Sequence, residues 1–508
     1  MAVNRGLRVI PVILLLALVA VLVRFHESIA NVDALFTFHP ADPAHDGSPS
    51  RPSNPDPNVN PLRPDPNPHP KAAPKPLAEQ TPRYKPAPTY TPPPAVNPFP
   101  LLANTAADVP PPPVPAHNVV PPNLHKTYGL AAPPPLFIGF TREWPILLQC
   151  VVSYITAGWP AEGIYVVENT GAQLANARGN LTIQNLFYLN YTTLARLGVN
   201  VLRAPALLSF SQMQNMFLHE AHTRGRPHYF YSYQDVLVYS FEAGPDDRHR
   251  PADRSWDFYD DADREDALRP AAAGSPGYRT IYENCLRDLN ATLARGERWA
   301  FRWYQYDHLT LVNRDAMDAV GGWDSFIPYY ATDCDMNARL AMDGWTMKHR
   351  RAGLIHDIST HLEDLAVLYR VPGAKPKFLD PNPPPPEKRS DIDNSADAVP
   401  PLNTTATDNN DDDAAYFRSL VDVGLDMTNY KYRDSDHARN SWQKSQRGGA
   451  GEPYYYDPAG FAEAFEVLVA AGRKVFELKW GRGGCDIAEG YGLKIGDQWR
   501  VLPAKKDG

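Results

Sequence analysis

The stretch LFIGFTREWPILLQCVVSYITAGWPAEGIYVVEN, residues 136–169, contains one strand–helix–strand unit of an alternating α/β pattern. Its apolar start, 136–140, predicts a short buried strand. Residues 144–157 have the apolar spacing of a helix, which the Gly-Trp-Pro triplet at 158–160 ends. The β-branched run 164–167 predicts a second strand, and the polar pair Glu-Asn follows it directly.

The same alternation continues to residue 233. We predict helices at 181–197 and 210–223, each closed by a glycine, and strands at 199–202 and 228–233. This order predicts an α/β fold, a Rossmann-like sheet flanked by helices.

Ligands of such sheets bind beyond the carboxyl ends of the strands. Glu168, Asn169 and Asp235 each follow a predicted strand. We therefore expect these three side chains to line one cleft.

Composition separates this region from its flanks. Many of the 53 prolines lie between residues 38 and 135, where they favour an extended, solvated chain. A net charge of -8 over 508 residues gives no reason to expect a nucleic acid as partner. The sequence predicts five parts: a cytoplasmic tail and signal-anchor helix (1–30), a Pro-rich disordered stem (31–132), a catalytic domain (133–371), a Pro/acidic linker or insertion (372–413) and a C-terminal extension (414–508). We expect this extension to pack on the catalytic domain; the alternative is a separate small module.

The N-terminus predicts entry into the secretory pathway. An apolar run, 9–23, is flanked by Arg8 and Arg24 and is short for a bilayer. We expect an uncleaved anchor that makes a single-pass type II protein of the Golgi or endoplasmic reticulum membrane, with a lumenal body. The alternative is a signal peptide cleaved near Ala30. Four Asn-x-Thr triplets agree with that compartment, and the four cysteines can form two disulfides in three pairings or remain buried thiols.

The residues that indicate chemistry are Gly321-Gly322-Trp323-Asp324, followed by Thr332-Asp333-Cys334-Asp335 and Arg339. Two glycines allow a tight turn near a ligand. The two later carboxylates begin a predicted helix, where the macrodipole stabilises negative charge. Arg339 lies one turn after Asp335, within reach of an ion pair.

This pattern resembles the inverting glycosyltransferases of the GT-A fold, particularly the family-2-like enzymes and the β-1,4-galactosyltransferase group. The resemblance covers residues 136–360 and implies that the catalytic domain, 133–371, is a GT-A domain. It places Asp333 at the catalytic base, Asp335 at the acceptor-side acid and Arg339 at the helix arginine. Gly322, Trp323 and Asp324 fall in the acceptor-side or structural segment, and Thr332 stands where the family has Glu.

A divalent ion, Mn²⁺ or Mg²⁺, is implied by the same resemblance. The family binds it through Asp-x-Asp after a strand, and here the segment Tyr233-Gln234-Asp235 keeps the last carboxylate only. His356, at the end of a later apolar stretch, is the expected second ligand, and carboxylate with imidazole suits these ions. Asp235 alone is also a sufficient protein ligand in this interpretation.

The donor nucleotide is expected at the first strand ends. Thr141 and Arg142 follow the first strand, and the Val-Val-Glu-Asn run that ends in Glu168 and Asn169 is similar to the family's Val-Val-Asp-Asn. These residues, with Asp235, are the predicted donor-binding set.

The sequence thus predicts an enzyme that transfers a sugar from a UDP- or GDP-sugar, with inversion, to a glycan or glycoprotein acceptor in the secretory lumen. The alternative is a catalytically inactive GT-A-like lectin or assembly subunit, favoured by the loss of acidic residues at Tyr233 and Thr332. A hydrolase that uses Asp333 and Asp335 is disfavoured, because carboxyls two positions apart rarely straddle a glycosidic bond.

Overall fold

The computed structural model describes residues 84, 96–97, 110–244, 270–378, 409–432 and 458–502. By its internal contacts the chain divides into Met1–Pro86 and Ala87–Gly508. The elements below all belong to the second unit.

A seven-stranded mixed sheet forms the centre of this unit, in the order β3-β2-β1-β4-β7-β6-β8. Strands β1, β2, β3 and β4 are parallel, β7 is antiparallel to β4 and β6, and β8 is parallel to β6. A two-stranded antiparallel sheet pairs β5 with β9. The strands are β1 Leu136–Phe140, β2 Ile164–Glu168, β3 Asn200–Arg203, β4 His228–Ser232, β5 Val236–Tyr239, β6 Trp299–Tyr304, β7 Leu309–Asn313, β8 Thr346–Arg350 and β9 Leu354–Asp357.

Helices flank this sheet, as the alternating pattern predicts. In the described residues they are α1 Leu124–Thr127, α2 Trp144–Thr156, α3 Gln173–Ala177, α4 Tyr191–Arg196, α5 Phe210–Thr223, α6 Ile281–Arg295, α7 Arg314–Val320, α8 Thr332–Met342, α9 Asn409–Tyr432 and α10 Pro458–Trp480. The mixed α/β class is therefore confirmed.

One predicted helix is wrong over most of its length. The segment 181–197 is helical only at α4, and side-chain amides hold the residues before it. Asn176 Nδ2 donates to Phe187 O at 2.8 Å, and Asn176 Oδ1 accepts from Leu189 N at 2.9 Å. Such side-chain to backbone bonds compete with helical hydrogen bonding.

Residues 110–132, which the sequence assigns to the stem, pack against the body. Asn118 is buried and donates from Nδ2 to Glu242 Oε1 at 2.8 Å and to Thr156 O at 2.8 Å. Leu124 belongs to the main hydrophobic core. The ordered body therefore includes residues before the predicted boundary at 132.

The predicted membrane localisation is contradicted. Within the described ranges, no helix combines the length and apolar character needed to cross a bilayer. The run 9–23, from which the anchor was predicted, lies outside the described residues, as does 379–408 of the predicted linker.

One disulfide joins α8 to the C-terminal segment. Cys334 and Cys485 are bonded across a sequence separation of 151 residues. Cys150 and Cys285 are buried free thiols, so one of the two possible bridges forms.

Glu242 binds the N-terminal residues of the described body through its side-chain carboxylate. Its carboxylate accepts from Asn118, contacts His117 Nε2 at 2.9 Å and pairs with Arg370 Nη2 at 2.9 Å. Burial opposes ionisation, but Arg370 and His117 outweigh it, and the pKa of Glu242 is lowered. The stabilisation from this carboxylate is therefore present above the unfolded-state pKa and is lost as the pH falls through the lower folded-state pKa.

We predict that Glu242→Gln lowers the free energy of unfolding by about 2–3 kcal/mol at pH 7, because it leaves the partly buried Arg370 without its counter-charge. Urea denaturation of both proteins at pH 7 and pH 3 measures this. The difference in the free energy of unfolding between the wild type and Glu242→Gln should be smaller at pH 3 than at pH 7. An equal difference at both pH values would contradict the ionic contribution.

Candidate active site

A cavity of about 740 Å³ opens beyond the carboxyl ends of β1, β2 and β4. Loops after these strands supply Thr141, Arg142, Asn169 and Asp235 to its wall. The start of α8 supplies Asp333. This is the edge of a doubly wound sheet at which ligands bind.

Asp235 and Asp333, nearly a hundred positions apart, thus line the same cavity. Both positions agree with the expected cleft, and their catalytic and metal-binding roles remain predictions.

Asp235 lies beside Asp357, the last residue of β9. One ammonium group bridges the two carboxylates: Lys431 Nζ of α9 lies 2.9 Å from Asp235 Oδ2 and 2.5 Å from Asp357 Oδ1. Tyr432 donates its hydroxyl to Asp357 Oδ2. Burial disfavours the charged ammonium, but the two aspartates outweigh burial and raise the pKa of Lys431.

The structure places His356 differently from the sequence prediction. Its imidazole does not line the cavity; it packs against the ring of Tyr239, with centroids 5.7 Å apart, and against α9 at Gly424. Successive side chains of a strand point to opposite faces. The next residue, Asp357, therefore occupies the expected place beside Asp235.

A second carboxyl lies near Asp333. Asp307, in the loop between β6 and β7, accepts a hydrogen bond at Oδ2 from the Tyr233 hydroxyl at 2.5 Å. Burial is the main cause that raises the pKa of Asp307, and the charge of Asp333 adds to it, against the lowering effects of His308 and Tyr233.

The loop that carries Asp307 has an uncommon backbone. Gln305 and Tyr306, immediately before it, have φ values of 56° and 55°. Non-glycine residues rarely adopt this left-handed conformation, and such residues cluster at functional sites. The loop directs Tyr306, Asp307 and His308 into the cavity wall.

Asp335 does not take part in the cavity, contrary to its predicted catalytic role. Its side chain is fully buried and forms three charged or polar contacts: to Arg339 Nε at 2.9 Å, Lys479 Nζ at 2.7 Å and Trp480 Nε1 at 2.9 Å. The expected pair with Arg339 forms, and the carboxylate anchors the end of α10.

The Gly-Gly-Trp-Asp segment is part of the same anchor. Asp324 pairs with Lys479 Nζ at 2.7 Å, so one lysine bridges Asp324 and Asp335. Trp323 is buried and exchanges two backbone hydrogen bonds with the Asn215 amide, both 2.8 Å. Gly322 has a φ of 72°, and a Cβ there would lie 2.8 Å from Asn215 Oδ1, so this position requires glycine.

The predicted donor residues are only partly brought together. Thr141, Arg142 and Asn169 line the cavity. The Asn169 amide is engaged by the Leu208 backbone, donating to its carbonyl at 2.8 Å and accepting from its N–H at 2.6 Å. Asn169 therefore fixes the loop after β3.

Glu168 does not line the cavity. Its carboxylate is buried and accepts from Thr170 at 3.0 Å, from Asn176 at 2.7 Å and from the Tyr191 hydroxyl. The carboxylate of Glu168 thus contacts other protein groups and is not at the cavity wall, where the sequence predicted it.

The C-terminal segment contributes residues to the cavity wall that its sequence pattern did not predict. Helices α9 and α10 complete the cavity wall with Lys431, Tyr432, Ala464, Phe465 and Leu468. Tyr329 and Phe465 are in ring contact, with centroids 4.7 Å apart. Asp357 was detectable as the carboxylate at the end of an apolar run, but Lys431 is separated from Asp235 by 196 residues and carries no local signal.

We predict that Asp335→Asn lowers the free energy of unfolding by about 3–5 kcal/mol, because it leaves Lys479 and Arg339 buried with less negative charge. Asp333→Asn, at the cavity wall, should change it much less. Thermal unfolding of both variants measures the difference. A larger loss for Asp333→Asn than for Asp335→Asn would contradict the assignment of Asp335 as the anchor.

No protein-family model matches this chain, and no curated protein matches it either. Among solved structures, a similar chain is the mannosyltransferase PcManGT from Pyrobaculum calidifontis in complex with GDP-Man and Mn²⁺. The two share 12% sequence identity, with a TM-score of 0.24, over 68% of this chain and 86% of that chain. A likeness of this size carries no argument about activity, so the function is inferred from the residues of the cavity.

Proposed function

We propose that this protein is an inverting glycosyltransferase of the GT-A type that transfers a sugar from a nucleotide-sugar donor to a glycan or glycoconjugate acceptor. The observation that carries the proposal is the position of Asp235 and Asp333 in one cavity, at the carboxyl ends of the parallel strands. The motif around Asp333 resembles the segment that holds the catalytic base in those enzymes.

The donor would lie at the ends of β1 and β2. Arg142 supplies a positive charge there, and its loop is held by Gln234, which donates to Arg142 O at 2.6 Å and accepts from Thr141 N at 3.4 Å. Apolar residues of the loop after β3 and of α5, including Leu208 and Met213, form a wall suited to a nucleoside.

The charge of the cavity supports a requirement for a divalent cation. Its charged lining comprises four aspartates, one arginine and one lysine. A nucleoside diphosphate adds further negative charge, so an additional cation would offset the repulsion. Carboxylate oxygens are the ligands that Mg²⁺ and Mn²⁺ prefer, and Asp235 and Asp357 are the residues that would hold the ion. Such an ion neutralises charge on a diphosphate leaving group.

Asp333 is the proposed general base. It would take the proton of an acceptor hydroxyl as that oxygen attacks the anomeric carbon opposite the leaving diphosphate, and one displacement inverts the configuration. Asp307 lies close enough for the two charges to interact, and burial together with the charge of Asp333 raises the pKa of Asp307.

We predict that Asp333→Asn lowers transfer by about 10²–10⁴-fold, the usual contribution of a general base, while donor binding persists. Transfer is measured with the purified chain, a panel of UDP- and GDP-sugars and oligosaccharide acceptors, with Mn²⁺ and with EDTA. The control is Asp315→Asn, whose side chain is 70% exposed at the start of α7 and lies outside the cavity lining.

Near-normal transfer by Asp333→Asn would exclude it as the base, and a product with retained configuration would exclude the single displacement. Donor binding by the wild-type protein without transfer would instead identify the inactive, sugar-binding alternative.

A further inference from the structure

Lys431 occupies the point on which three oxygen atoms converge. Its Nζ lies 2.9 Å from Asp235 Oδ2, 2.5 Å from Asp357 Oδ1 and 3.3 Å from the carbonyl oxygen of Ile358. An ammonium group has three N–H donors, so these contacts use all of them. In this arrangement Lys431 has no donor left for a phosphate oxygen.

The same oxygen set suits a divalent cation. Two carboxylate oxygens and one backbone carbonyl oxygen are hard ligands of the kind that Mg²⁺ and Mn²⁺ prefer. The lysine therefore stands at the place that the proposed function gives to the metal ion. The donor set fits the ion, provided that the ammonium leaves.

The charges favour such a replacement. With Lys431, the two aspartates retain one net negative charge, whereas a divalent ion would neutralise both. The freed ammonium would also bring a positive charge to the cavity, in which a diphosphate needs one.

The exchange would require the side chain of Lys431 to rotate, with no shift of the helix. In α9, Lys431 is followed by the half-exposed Tyr432. Two turns earlier, Gly424 fixes the helix against His356, because a Cβ at Gly424 would lie 2.9 Å from His356 Cδ2. Because the helix is held at Gly424, the exchange would take place by rotation of the flexible four-carbon side chain of Lys431.

We propose that Lys431 is a tethered cation that holds the Asp235–Asp357 pair in the metal-free protein and is exchanged for a divalent ion. The proposal rests on the metal requirement of the proposed function. On exchange, the lysine ammonium leaves the carboxylates and becomes available to the diphosphate of the donor.

The first test measures Mn²⁺ binding alone, by the electron paramagnetic resonance of the free ion. Lys431→Gln removes the competing charge and should bind Mn²⁺ at least about tenfold more tightly than the wild type, equivalent to about 1.4 kcal/mol. Lys431→Arg keeps the charge and should resemble the wild type. Adding Asp357→Asn to Lys431→Gln should abolish the gain. Lys474→Gln, whose side chain is 61% exposed, is the matched surface control.

The second test uses the wild-type protein and does not depend on the folding of a variant. N-hydroxysuccinimidyl acetate labels lysines that are accessible, and mass spectrometry reads each site. Lys431 side-chain exposure is 4%, so its labelling should be low without metal and should rise several-fold with Mn²⁺, while Lys474 labelling stays constant.

Unchanged labelling of Lys431 at Mn²⁺ concentrations that saturate binding would overturn the exchange, as would equal Mn²⁺ affinity in wild type and Lys431→Gln. The two proposals fail separately. Sugar transfer in EDTA would support the glycosyltransferase proposal and reject the exchange proposal. Exchange of Lys431 for Mn²⁺ without transfer from any donor would support the exchange and reject the glycosyltransferase.

Discussion

Two buried lysines each partly neutralise a pair of aspartates whose negative charges would otherwise repel each other. Lys431 bridges Asp235 and Asp357, and Lys479 bridges Asp324 and Asp335. Both lysines are buried, and both come from the C-terminal helices α9 and α10. Removing one partner of a buried pair is costly because the other charge remains. The acidic side of the cavity therefore depends on the C-terminal segment.

Three consecutive residues of helix α8 make three different kinds of contact. Asp333 faces the cavity, Cys334 is bonded to Cys485, and Asp335 holds Lys479 and Arg339. Because the side chains leave a helix about 100° apart, neighbours in sequence reach different surroundings. The anchoring of two of the three restricts the orientation of the helix, and so fixes the direction of Asp333.

The fold was predictable because strands and helices have different apolar periods. Strands β1, β2 and β4 and helices α2 and α5 agree with their predicted ranges to within two residues, since burial on the sheet imposes these patterns. The helix prediction for the segment before α4 was wrong because hydrogen bonds from the Asn176 amide determine the conformation of its backbone.

The site was less predictable, because it depends on which way a side chain points and on distant contacts. His356 and Asp357 are adjacent, and only the register of β9 against β5 decides which one faces Asp235. Asp335 and Glu168 were expected to act on ligands, but tertiary partners already occupy their oxygens. No spacing rule relates Lys431 to Asp235, since their contact exists only once α9 packs against β9.

The bond between Cys334 and Cys485 closes a covalent ring that contains α9 and the whole of α10. A single peptide cleavage anywhere inside the ring, including within the proline-rich stretch 379–408, would leave the two fragments joined as one molecule. After a cut at 379–408, Lys431 and Lys479 would thus stay covalently linked to the sheet, and reduction of the disulfide as well would be needed to remove that link.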